Sequence, residues 1–158
     1  MSSVVDIRSN LEAWVSFLRA HSAITRQLNA DLLNDHGLTL SDYEVLLRLS
    51  SAENQMMRRV DLAVSVFLTA SGITRLLEGL ERSGFVRKET CASDARVSYA
   101  KLTEAGRRKL AEAGRTHLAG IEELFSGRFS DDELERLAAL LSRLPLGPLD
   151  GTDRCSVE

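Results

Sequence analysis

The 158 residues carry 20 Lys/Arg against 23 Asp/Glu, a formal net charge of −3, and are 44% hydrophobic but only 5% aromatic. That length supports one well-filled core and leaves little room for two independent domains. No apolar run approaches the ~20 residues that cross a bilayer. The opening MSSVVDIRSN lacks an apolar centre flanked by basic residues, so the expectation is a cytoplasmic protein with no membrane partner.

In chain order, Ile7, Leu11, Trp14, Val15, Leu18, Ile24, Leu28 and Leu32 recur every three or four residues. This predicts an amphipathic helix over 6–34, ended by Gly37. At 1.5 Å per residue it spans ~40 Å, more than a small domain needs, and suits packing against a partner chain. Two helices broken near His21-Ser22 are the alternative. Ser41-Asp42-Tyr43-Glu44 has capping-box spacing and predicts a second helix carrying Tyr43 to Leu49, with a polar loop at 50–55. A short apolar run from Val60 to Val66 precedes a helical pattern from Thr69 to Arg82. There Ile73, Leu76, Leu77 and Leu80 share one face, and Ser71, Thr74, Arg75 and Glu78 the other. Ser83-Gly84 ends it.

Two strand-like runs follow, Phe85 to Lys88 and Val97 to Leu102, around a polar loop at 89–96. Thr103 is placed to cap a helix reaching Phe125. Ser130-Asp131-Asp132-Glu133 opens a last helix with Leu134, Leu137, Leu140, Leu141 and Leu144 on its inner face, stopped by Pro145. Residues 145–158 read as a disordered tail.

The predicted architecture is therefore mostly α: a winged helix-turn-helix core over 37–103 with a two-stranded β wing. Residues 6–36 and 104–144 form a helical dimerisation region. Such a head puts its second helix in the major groove and its wing on the backbone or minor groove of double-stranded DNA. Charge agrees. From Arg58 to Lys109 there are eleven Lys/Arg against six Asp/Glu, a net +5, while the remainder carries −8. Phosphate contact needs a local basic surface, which a net acidic chain still offers.

Arg75 is suited to a guanine edge or to phosphate, and Arg58 and Arg59 to phosphate or plain solvation. Arg87 and Lys88 make the hairpin basic. Gly72 and Gly79 sit inside a helix, where each costs ~1 kcal/mol against alanine; close packing is the expected reason. Cys91, in the wing loop beside Arg87 and Lys88, is either an ordinary exposed thiol or a redox switch, and two cysteines so far apart do not suggest a disulfide framework. Trp14, Phe17, His21, Tyr43 and His117 are candidates for an effector pocket, or else core and dimer packing. No paired carboxylates, nucleophile elbow, phosphate loop or metal-ligand spacing occurs, so neither an enzyme nor a cofactor is expected. A winged helix used only for protein contact remains the rival reading.

The run LTASGITRLLEGLERSGFVRKETCASDARVSYAKLTEAG resembles the MarR family of bacterial transcriptional regulators, and the order of elements is similar from about Asp6 to Leu144. Its most specific parts are Ser71-Gly72-Ile73-Thr74-Arg75, Gly84-Phe85-Val86-Arg87, and Asp94-x-Arg96 with Leu102-Thr103-x-x-Gly106. The resemblance implies a homodimer on a pseudo-palindromic operator, released by a small anionic or aromatic effector. It implies that Thr69, Ser71, Thr74 and Arg75 face DNA, that Arg96 enters the minor groove, and that Asp94 holds that arginine. Where the family commonly has a second wing arginine this chain has Ala95, which leaves Arg96 as the main wing contact.

Overall fold

The structure, a computed structural model, describes residues 7–145 apart from 92 and 95. The elements run α1 (Ile7–His36), α2 (Leu40–Ser51), a 3-10 turn (Glu53–Gln55), β1 (Met56–Arg58), α3 (Arg59–Ser65), α4 (Ala70–Arg82), β2 (Val86–Thr90), β3 (Ser98–Leu102), α5 (Glu104–Phe125) and α6 (Asp131–Leu141). The tail expectation falls almost wholly outside the described residues.

α1 is one unbroken helix of 30 residues, so the split at His21-Ser22 does not occur. Only Leu28 and Leu32 of it are buried. Its second half lies against α5, where Gly120 lets the helices close: a Cβ there would sit 2.8 Å from Leu28 Cδ2. His36 Nε2 and Thr116 Oγ1, 2.8 Å apart, join the same two helices. Among the described residues the first half has no such cover, and Leu11, Trp14, Val15 and Leu18 stand exposed.

Gly37 takes φ 67 and turns the chain out of α1. The cap of α2 is then Thr39 and not Ser41. Thr39 Oγ1 accepts from the Asp42 N–H at 3.0 Å, and Asp42 Oδ2 accepts from the Thr39 N–H at 2.8 Å. Thr39-x-x-Asp42 and Ser41-x-x-Glu44 have the same spacing. The earlier pair wins because Leu38 is buried and the Leu40 N–H already donates to Asn29 Oδ1 at 2.9 Å, fixing the helix start. α2 also runs further than expected, through Ser50 and Ser51, whose hydroxyls bond back to the Leu47 carbonyl.

The core lies between α2, α3, α4 and the sheet, with Leu32, Leu46, Leu49, Leu62 and Leu77 fully buried. The sheet is antiparallel in the order β1-β3-β2, with Met57 opposite Ala100 and Lys88 opposite Ala100 on the other side. The β2–β3 hairpin is the expected wing. β1 is a third strand that sequence reading missed, since three residues are too few to show alternation. α4 ends in a Schellman motif, with Phe85 N–H to Leu80 O at 2.9 Å, Gly84 N–H to Glu81 O at 3.0 Å, and Gly84 at φ 75. That motif aims the chain into β2.

Ser130 and Glu133 form the expected capping box of α6. The helix stops at Leu141, ahead of Pro145, and Leu140, Leu141 and Leu144 are exposed instead of facing inward. Among the described residues, no single helix is long and apolar enough to cross a membrane.

Candidate nucleic-acid interface

α3 and α4 are set at 105° to each other, within the ~90–120° of a helix-turn-helix. The packing that holds them there is legible residue by residue: Leu62 and Ala63 of α3, Val66 at its C-cap, and Ile73 and Leu77 of α4 are buried in one core cluster. This leaves the polar face of α4 outward. Thr69 caps the helix, its hydroxyl oxygen accepting from the Gly72 N–H at 3.1 Å and lying 3.2 Å from Ser71 Oγ. Ser71 and Arg75 are exposed, Thr74 is half-buried, and the Thr74 hydroxyl donates to the Ala70 carbonyl at 2.8 Å. A hydroxyl so engaged still has lone pairs to accept with.

The two glycines of α4 have different explanations. A Cβ at Gly72 would sit 3.1 Å from Thr69 Oγ1 and 3.7 Å from Leu68 Cβ, so this glycine keeps room for the cap. Gly79 has only Arg82 Nη2 within 4 Å, at 3.9 Å, and close packing does not account for it.

The basic residues around the head are partly engaged. Arg58, at the junction of β1 and α3, has Nε 3.9 Å from Asp61 Oδ2. Arg87 pairs with Glu89 at 2.7 Å along the same face of β2, and Lys88, on the other face, is exposed. At the wing turn Arg96 is exposed. Asp94 acts on it through the main chain: its Oδ1 accepts from the Arg96 backbone N–H at 2.9 Å, and its carbonyl from the Val97 N–H at 3.0 Å. Asp94 therefore shapes the turn that carries Arg96, and its carboxylate makes no ion pair with that guanidinium.

Cys91 is corrected by the structure. It is buried and disulfide-bonded, with Sγ 3.1 Å from Ser93 Oγ, so it is not the exposed thiol expected from its loop position. Cys155 lies outside the described residues.

The candidate pocket residues fall into two groups. Tyr43 of α2 and His117 of α5 are in ring contact at 4.5 Å, whereas Trp14, Phe17 and His21 stack along α1 with centroids 6.4 and 6.3 Å apart. No ring contact joins the groups among the described residues. Burial pushes the Tyr43 hydroxyl above its ordinary pKa and the His117 imidazole below its own. His117 Nδ1 is buried with no hydrogen-bond partner. Glu44, expected as a capping acid and not as a pocket residue, follows Tyr43 on α2 with its carboxyl pushed up by burial, partly offset by Arg48 and His21. Only its position after Tyr43 on a helix could have signalled it. Among the described residues no group of three His, Cys, Asp or Glu is placed to hold a metal.

A crossed helix pair with an outward polar face, followed at once by a hairpin whose turn presents an arginine, defines a winged helix-turn-helix protein. The MarR family model matches residues 36–97. The crystal structure of AbsC, a MarR family transcriptional regulator from Streptomyces coelicolor, is 31% identical, covers 89% of this chain and 93% of its own, and superposes with a TM-score of 0.76. The HTH-type transcriptional regulator MhqR of Bacillus subtilis is 26% identical over 137 residues, 87% of this chain and 92% of that protein. Sco3205 from Streptomyces coelicolor, a MarR family transcriptional regulator solved in complex with DNA, shares the fold at a TM-score of 0.78 and 24% identity, over 90% of this chain and 88% of its own. The chain belongs to the MarR family. It is a DNA-binding transcriptional regulator, and its relatives are regulators rather than enzymes.

Proposed function

We propose that the protein is a homodimeric repressor that binds a pseudo-palindromic operator and is released by a small aromatic or anionic effector. The observation that carries this reading is the exposed face of α4, with Ser71 and Arg75 outward, set at 105° to α3 and followed by the basic hairpin. Thr69, Ser71, Thr74 and Arg75 enter the major groove, Arg75 donating to base or phosphate. Arg96 enters the minor groove. Arg58, Arg87 and Lys88 contact phosphate; for Arg87 and Arg58 this means giving up part of the pairing to Glu89 and Asp61. Asp94 serves by holding the wing turn.

The division into a reading head, 37–103, and a dimerisation region, 6–36 with 104–144, follows from what is left uncovered. Ile7, Leu11, Trp14, Val15 and Leu18 on α1, with Leu118 on α5, Leu140 at the end of α6 and Leu144 just beyond it, form apolar surface that a second copy would bury. A two-fold dimer sets two heads about one helical turn apart, which matches an inverted repeat. A dimer seated there occludes that stretch for other proteins, hence repression. Tyr43 and His117 join the head to the dimerisation region. An effector entering beside them, with His21, Trp14 and Phe17 on α1 as further wall, changes the spacing of the heads only if it binds two spacings with different affinity.

The test is DNA affinity as a function of salt, for the wild type, Arg75→Ala and Arg96→Ala. The expected result is affinity that falls steeply with salt and a marked loss in both variants. Weak, salt-insensitive binding that neither substitution alters would assign the head to protein contact instead.

A further inference from the structure

Phe67, in the turn between α3 and α4, is 76% exposed and has φ 55. A bulky aromatic residue is strained in the left-handed region, which glycine enters freely. The turn imposes this conformation, because the Phe67 N–H is bonded to Val64 O at 3.2 Å and the Leu68 N–H to Ala63 O at 2.9 Å. Val60 and Val64 continue the same outward stripe at 59% and 58% exposed. The residue thus incurs two costs, strain and apolar exposure, and at 76% exposed its ring gains little burial among the described residues. Strain kept in this way points outside the chain for its reason.

We infer that Phe67 is a specificity-determining DNA contact whose ring receives the 5-methyl group of a thymine in each half-site. The inference rests on the reading of α4 as the helix in the major groove. Phe67 stands two residues before Thr69, the cap of α4, so its Cα is within ~7.6 Å of that cap. It is the N-terminal part of such a helix that meets base edges. From Leu62 to Thr74 the chain carries no charged side chain, so this stretch has no means of holding phosphate by charge. The thymine methyl is the apolar group that the major groove displays, and aromatic rings are among its partners.

The probe is the duplex selected by the wild-type protein, with each thymine of a half-site replaced in turn by deoxyuridine, which removes only the methyl. Wild-type affinity is expected to fall about fourfold at one position, the worth of one buried methyl. Phe67→Gly relieves the backbone strain, so this variant folds at least as firmly and melts higher, yet it binds the thymine duplex more weakly and no longer distinguishes uracil there. Equal sensitivity to uracil in both proteins overturns the inference. So does unchanged affinity in Phe67→Gly, which would give the stripe to a protein partner, or a loss that is the same for thymine and uracil. Arg75→Ala on the same duplex separates the two levels: if it too binds as the wild type does, the reading of α4 has failed and Phe67 fails with it.

Discussion

Replacing Gly106 by alanine perturbs the joint between wing and long C-terminal helix. A Cβ on Gly106 would lie 2.1 Å from the Phe85 carbonyl oxygen and 2.8 Å from Leu102 Cδ1. The oxygen cannot simply withdraw: it accepts from the Thr103 N–H at 3.1 Å and shares, as the longer branch at 3.1 Å, the Thr103 hydroxyl proton that goes mainly to Gly84 O at 2.6 Å. Overpacking of a well-packed site costs ~1–3 kcal/mol, more when backbone must move. Weakening one of these hydrogen bonds adds ~1 kcal/mol. Alanine's better helix propensity returns up to ~1 kcal/mol, leaving a net loss of about 1–3 kcal/mol. For a chain of this size that lowers the melting temperature by ~2–12 °C. Thermal denaturation followed by far-UV circular dichroism measures it. Gly114→Ala is the internal control, since its Cβ would meet only Tyr43 Oη, at 3.7 Å. If Gly106→Ala melts with Gly114→Ala, the close approach at this joint is refuted.

Gly79→Ala is expected to stabilise by ~0.5–1 kcal/mol, because the helix gains propensity and the space is open; a lower melting temperature would show a neighbour that the fold does not reveal. His117 gives a pH dependence. Burial holds its imidazole below the ordinary 6.5, so the unfolded chain takes up the proton first. Stability present above 6.5 is lost as pH falls from there through the folded value. His117→Phe, which keeps a ring against Tyr43, should flatten the difference in urea midpoints between about pH 7.5 and 5.5; an unchanged slope rules His117 out as its source. Glu44, pushed up by burial, works in the opposite sense, its contribution falling as pH rises above the ordinary 4.5. Leu11→Glu with Leu18→Glu should yield monomers in light scattering while leaving the head folded, and dimers of normal strength would place the interface elsewhere.

What sequence reading recovered was local in origin. The recurrence of Ile73, Leu77 and Leu80 marks the buried face of α4, and Gly84 marks its end because only a left-handed residue closes that Schellman motif. Leu102-Thr103-x-x-Gly106 carries its reason in itself: Thr103 caps α5 and bonds Gly84 O at 2.6 Å, and Gly106 is the one residue small enough beside Phe85 O. What it missed depends on distant partners. β1 is a strand because β3 lies beside it, and Thr39 outranks Ser41 because Asn29, eleven residues upstream of Leu40, holds the helix start. Tyr43 and His117 meet across the fold, while Trp14 and Phe17 share α1 without reaching them. The expectation that Asp94 holds Arg96 names no atom, and the fold supplies one: the Arg96 backbone N–H, which spacing alone does not single out from the guanidinium.

The most direct test of the account is selection from random duplex DNA with the purified protein, repeated with Arg75→Ala. The account predicts an inverted repeat with half-sites about one helical turn apart, lost in the variant. A single, unrepeated site would contradict the dimer. No enriched motif at moderate salt, or the same motif from Arg75→Ala, would contradict the assignment of α4 as the reading helix.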